Sequence, residues 1–330
     1  MTRPVIALDI GGTVIKAALI HENGQQDGLR RIPTPRQFSP EDGADMMAQI
    51  IRDLLMNTGT EPHEIRGVGA SIAAFITADG RITATAHLPD DWIGFDLGGA
   101  LRSRLPHRYV FALDTPAPTL GEAYFGAGRG CDDFVYVTIS TGIGAGIYAD
   151  GRYFTGGLGW AGGIGHIIID ETSSRVCSGC GNAGCLETFA ATQGVLDTAH
   201  DVAAEFPQSL LAQAVSQPDG VTPKAINDAA MQGDHAALEV WRRVGHALGI
   251  GLVNLINIVS PTTVILGGGI AQAGELLLAP ARAVVQERAF PPQHRQSRIV
   301  QAALGDLSAL YGAAVLVFHD LVINTAKDDC

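Results

Sequence analysis

Two segments far apart in the chain share one pattern, and it sets most of what the chain can fold into. The first runs IALD, IGGT, VIKAALI, from Ile6 to Ile20; the second runs YVTIS, TGIG, AGIYADG, from Tyr136 to Gly151. Each reads as an apolar strand, a Thr/Gly turn and a second strand that ends at a turn. A supersecondary unit that recurs points to internal duplication. Strands alternate with helical segments around both copies, which gives an α/β class. With 330 residues, 46% of them apolar and 17% charged, the chain can bury two cores and is not disordered.

The remaining elements follow from local signals. Ser39 is an N-cap, Pro40 takes the first helical position, and Asp42 stands at the capping-box place. Met47, Ile50, Ile51, Leu54 and Leu55 then repeat at helical spacing. Residues 67–76 read as a buried strand, 78–80 as a turn, DLGGALRSRL as a short helix and 109–114 as a strand. Pro116 and Pro118 preclude a regular helix start before Thr119, so a domain boundary is expected near 115–119. Residues 134–140 are the strongest strand, 186–256 are mostly helical, and TTVILGGGI is a further strand. A helix follows from Ala273, and a terminal helix with small residues along one side begins after Gly305 and Asp306.

Charge and cysteine usage narrow the partners. Lys plus Arg (22) against Asp plus Glu (34) gives −12, with no basic run, which argues against nucleic acid. An anionic ligand stays open, because backbone N–H groups hold phosphate in acidic proteins. There is no signal-peptide pattern and no apolar stretch long enough for a membrane span, so the expected location is the cytoplasm.

The turn Asp9-Ile10-Gly11-Gly12-Thr13 joins two strands and is neither a Walker A loop nor a Rossmann fingerprint. It can offer N–H groups and a hydroxyl to phosphate oxygens, with Asp9 holding Mg²⁺ through water and Lys16 beside it. Taken alone, it is also a plain hairpin turn. Thr141, Gly142 and Gly144 repeat the feature, and Gly267, Gly268 and Gly269 end a third strand, which together resemble the walls of a nucleotide site. His166, Cys177, Cys180 and Cys185 form a Cys₃His set with structural-zinc spacing; a disulfide among the cysteines and a merely buried histidine are the alternatives. Asp114, at a strand end, can accept a proton from a substrate hydroxyl or cap the next helix.

DIGGT at 9–13, STGIG at 140–144, GLGWAGGIGH at 157–166 and CGNAGCLE at 180–187 resemble the ROK family of sugar kinases and sugar-responsive repressors, over nearly the whole chain. The resemblance implies a duplicated actin/hexokinase-like ATPase fold with two domains around a central cleft. The small N-terminal domain would span 1–117, completed by a C-terminal helix near 306–325. The larger domain would span 118–305 and carry a zinc loop at 157–187. It further implies ATP and Mg²⁺ at Gly11–Thr13 and Thr141–Gly144, with Gly267–Gly269 at the adenosine, and structural Zn²⁺ at the Cys₃His set. Asp114 matches the general base, His166 the zinc ligand that also touches the sugar, and Glu187 a sugar-hydroxyl acceptor; Gly121 and Glu122 follow the pattern too. Many members are dimers. Repressor members carry an added winged helix that this chain, beginning almost at DIGGT, is expected to lack.

Departures from the family pattern fall on the sugar pocket. Leu113 replaces an Asn, Gly163 a Glu, His87 another Asn, and Ser71-Ile72 a Pro-Gly; the knuckle reads Cys-x₂-Cys where Cys-x-Cys is usual. A polar substrate group without a partner costs on the order of 1–3 kcal/mol. The expectation is a kinase for a sugar or sugar-like polyol other than ordinary glucose, with a non-catalytic sugar or nucleotide sensor as the alternative.

Overall fold

The computed structural model describes residues 3–35, 38–85, 88–217 and 220–323. His87 lies outside the described residues. The chain divides into two compact units: Met1–Asp132 with Gly146–Ala161 and Ala302–Cys330, and Asp133–Ala145 with Gly162–Gln301.

The first unit opens with β1 (Val5–Ile10), β2 (Val14–Ile20) and β3 (Gln26–Pro33), followed by helix α1 (Pro40–Thr58). Then come β4 (Gly67–Ile72), β5 (Ala74–Ile76), β6 (Ile82–Thr85), α2 (Leu97–Arg104), β7 (Tyr109–Leu113) and α3 (Pro116–Phe125). Its sheet has the order β3-β2-β1-β4-β7. β1 and β2 are antiparallel, whereas β1, β4 and β7 are parallel. Every residue of β1 and β4 is buried, as central parallel strands require. The capping box at Ser39 forms as expected, with Ser39 Oγ accepting from Asp42 N–H at 3.2 Å.

Two local readings are corrected. Residues 67–76 are not one strand: the chain breaks after Ile72, and β5 pairs antiparallel with β6. Helix α3 begins at Pro116, not after Thr119. Both prolines sit in the first turn, where a missing N–H costs no helical hydrogen bond.

The second sheet contains β8 (Phe134–Ile139), β9 (Ile143–Ala149), β10 (Arg152–Phe154), β11 (Thr263–Gly267) and β12 (Arg298–Gln301). Its order, β10-β9-β8-β11-β12, repeats the first: third, second, first, fourth, fifth in chain order. The duplication read from the two strand–turn–strand segments therefore extends to whole sheets. Helices α4 (Glu187–Ala190), α5 (Thr192–Glu205), α6 (Leu210–Val215), α7 (Pro223–Met231), α8 (His235–Val259) and α9 (Glu275–Arg288) lie between β10 and β12 in sequence.

Helix α10 (Ser308–Phe318) belongs to the first unit and packs on α3, β4 and β1. Its small residues have a direct purpose. A Cβ at Gly312 would lie 1.6 Å from Ala117 O, and one at Gly121 would lie 2.1 Å from Ser308 O. Glycine on both helices lets their backbones meet. No helix among the described residues is long and apolar enough to cross a membrane.

Candidate functional site

In the first unit, Asp9 on β1 and Lys16 on β2 are register partners, and Lys16 Nζ lies 3.0 Å from Asp9 Oδ2. Burial pushes the Asp9 carboxyl up, and Lys16 draws it part of the way back. The turn Gly11-Gly12-Thr13 stands beyond this pair, with Gly12 and Thr13 exposed. Thr34 fixes its shape: its N–H donates to Thr13 O at 2.9 Å and its hydroxyl to Gly11 O at 2.7 Å. Sequence reasoning missed Asp306, whose charge acts on both Asp9 and Lys16 and which is itself paired with Arg31. Two ion pairs, Lys16 with Asp9 and Arg31 with Asp306, thus lie within electrostatic reach of one another.

Leu113 ends β7, in register with Ile72 of β4, and Asp114 follows directly before α3. Tyr153 on β10 is a second residue that the sequence did not flag. Its phenol is pushed up, first by burial and then by the Asp114 carboxylate, so the two lie within electrostatic reach. Beyond β10, the loop closed by Ala161 N–H on Thr155 O carries exposed Trp160, whose ring tilts against Phe75 at 4.6 Å.

In the second unit, the turn Thr141–Gly144 links β8 to β9. Ser140 O accepts from both the N–H and the hydroxyl of Thr192, each at 2.9 Å. Buried Ile143 donates its N–H to Glu187 Oε2 at 3.0 Å. The triple glycine at the end of β11 has a partly different explanation. A Cβ at Gly267 would lie 2.0 Å from Tyr136 OH, and one at Gly268, with φ +88°, 2.3 Å from Ile139 O. Close packing on β8 therefore accounts for these two, while Gly269 faces open space.

The knuckle is compact. One ligand atom from each of His166, Cys177, Cys180 and Cys185 lies within 4.8 Å of the others. Cys177 Sγ is 3.5 Å from His166 Nδ1, and the Cys180 and Cys185 sulfurs are 3.6 Å apart and unbonded. The loop closes through Cys177 N–H to Asn182 O at 2.8 Å and Gly181 N–H to Cys177 O at 2.9 Å. The backbone N–H of Asn182 holds the Cys180 thiol down at about 7, whereas burial pushes the Cys177 and Cys185 thiols up. One imidazole and three sulfurs suit a tetrahedral ion with no open position. Gly163 opens the short turn that carries His166, at φ −69°, with nothing within 4 Å of where its Cβ would be.

The ROK family model matches residues 5–320. A glucokinase from Thermotoga maritima is 31% identical over 314 residues, covering 95% of this chain and 96% of that protein. A xylose repressor from Caldicellulosiruptor bescii is 29% identical over 285 residues, covering 84% of this chain and 68% of the repressor. Among solved structures, a ROK family glucokinase from Streptomyces griseus in complex with glucose and AMPPNP is similar, with a TM-score of 0.79 and 29% identity over 96% of this chain and 99% of that one. The chain belongs to the ROK family and has its actin/hexokinase-like duplicated fold.

Proposed function

We propose that the protein is an ATP-dependent kinase that phosphorylates a hydroxyl of a sugar or sugar-like polyol, with Asp114 as general base. The observation that carries this reading is Asp114 itself, a carboxylate at the end of β7 in a chain that spans kinase relatives from end to end. Phosphoryl transfer asks little covalent chemistry of the protein beyond taking up the hydroxyl proton. Gly11, Gly12 and Thr13 would hold phosphate, as would Thr141, Gly142 and Gly144. Asp9 and Lys16 would serve the metal and phosphate charge, and Gly267, Gly268 and Gly269 the adenosine side. Mg²⁺ supplies charge neutralisation at the transferring phosphoryl group when bound. His166 and Glu187 would orient the acceptor.

The knuckle is proposed to hold one structural zinc. Elemental analysis of protein purified without added metal should give about one equivalent per chain. Cys180→Ala should lower that content. Folded protein without zinc would overturn the assignment.

Acceptor choice follows from Leu113 and Gly163, which stand where ROK kinases usually hold sugar hydroxyls with an amide and a carboxylate. An ordinary hexose would leave hydroxyls without partners, so glucose should be a poor acceptor despite the glucokinase relatives. The exposed Trp160, resting on Phe75, makes the surface of the first unit less polar still. Leu113→Asn with Gly163→Glu should raise kcat/KM for glucose by about tenfold or more, the equivalent of one recovered hydrogen-bond pair. Position 163 has a negative φ and open space for a Cβ. Rapid glucose phosphorylation by the unmodified protein would overturn the altered-pocket reading. A homodimer and a cytoplasmic location remain part of the proposal, as size-exclusion and fractionation experiments can check.

A further inference from the structure

We propose that Glu187 is a positioning residue that couples the metal knuckle to the Thr141–Gly144 turn, so that metal and nucleotide phosphate strengthen each other's binding. The inference rests on the reading of that turn as a phosphate site and of the knuckle as a zinc site.

One carboxylate reaches both features. Glu187 opens α4 two residues after Cys185, and Leu186 N–H between them donates to Ile167 O at 2.9 Å. Its Oε1 lies 3.4 Å from Cys177 Sγ, and its Oε2 accepts from Ile143 N–H at 3.0 Å. The turn is shaped around it: a Cβ at Gly142 would lie 2.6 Å from Oε2. Five residues on, Thr192 holds the other end of the same turn through Ser140 O. The short stretch 187–192, which follows the last sulfur ligand, therefore grips the turn at both ends.

Ile143 is buried and Thr141 exposed, so the carboxylate takes the inward N–H and fixes the plane from which the outward peptide units present theirs. An N–H cradle binds phosphate well only when it is ordered beforehand. Residues that support metal ligands from outside commonly set both ligand orientation and metal affinity. Glu187 stands two residues after the last sulfur ligand, so closure of the knuckle sets where its carboxylate sits, and that carboxylate orders the cradle through Ile143 N–H. Coupling between sites is reciprocal, so nucleotide must tighten zinc by the factor by which zinc tightens nucleotide.

The test uses the zinc-loaded protein with AMPPNP·Mg²⁺ as probe. Zinc affinity is measured by competition with a chromogenic chelator, with and without nucleotide, and nucleotide affinity by calorimetry. In the unmodified protein, saturating nucleotide should raise zinc affinity about tenfold, within the usual range of such couplings. Glu187→Ala should bind nucleotide about tenfold more weakly and lose the effect on zinc. Glu187→Gln, which keeps an oxygen for Ile143 N–H, should retain it. Unchanged zinc affinity in the unmodified protein, while nucleotide binds, overturns the coupling whether or not the variants fold. Coupling that persists in Glu187→Ala overturns the role of Glu187. Loss in Glu187→Gln as complete as in Glu187→Ala overturns the hydrogen-bonded route. Absence of nucleotide binding overturns the phosphate reading of the turn and this inference with it.

Discussion

Asp114→Asn is expected to cut turnover by roughly 10²–10⁴-fold while leaving nucleotide and acceptor affinities nearly intact. The amide matches the carboxylate in size and still accepts a hydrogen bond, but it cannot take a proton. A loss in kcat with little change in KM is the signature of an interaction made only in the transition state. Tyr153 supplies an internal check. Its phenol is raised mainly by burial and secondarily by the Asp114 charge, so the neutral amide should lower its titration while leaving it above the ordinary value. Turnover within threefold of the unmodified protein would remove Asp114 from the proposed chemistry.

Glu122→Ala is expected to destabilise the fold by about 3–5 kcal/mol, read by denaturant unfolding. Glu122 has no exposed surface. Its oxygens accept from Ala127 N–H at 2.7 Å, Ala303 N–H at 3.1 Å, Leu304 N–H at 3.0 Å and the Ser308 hydroxyl at 2.7 Å. The side chain thus closes the end of α3 and ties it to the segment that leads into α10. Alanine would leave the buried Ser308 hydroxyl and three part-buried N–H groups without this acceptor, and an unpaired buried donor costs roughly 1–3 kcal/mol before relaxation. Glutamine should recover only part of the loss, because both oxygens accept from N–H donors and one would become an NH₂ group. A change below 0.5 kcal/mol, the ordinary size of a neutral surface substitution, would contradict this account of how α10 is held.

What could be read from sequence was local. The Ser39–Asp42 capping box spans four positions, and the three knuckle cysteines span nine, so both are visible as motifs. The repeat of IGGT and TGIG foretold sheets of the same order because each turn sits between strands whose apolar runs are continuous. Strand β3 escaped notice because it lies at the sheet edge, carries Arg30 and Arg31, and has no buried face. The partners that matter most were invisible for another reason. Glu122 meets Leu304 across 182 positions, and Arg31 meets Asp306 across 275. No periodicity links such residues; only the fold brings them together. Tyr153 and Asp114 come within electrostatic reach in the same way, through β10 and the end of β7. At Gly267 and Gly268 the packing reason for glycine was not legible, since only the fold shows that Tyr136 OH and Ile139 O leave no room for a Cβ.

Transfer of the ATP γ-phosphoryl group to a sugar hydroxyl is read by product analysis. The unmodified zinc-loaded protein is incubated with ATP, Mg²⁺ and, one at a time, hexoses, N-acetylated hexosamines, amino sugars and cyclitols. Mass spectrometry then follows each acceptor. ADP is expected together with an equal amount of one phosphorylated acceptor, formed faster than any product from glucose. Nucleotide that binds without any acceptor gaining a phosphoryl group would contradict that transfer and favour a sensor on the same fold.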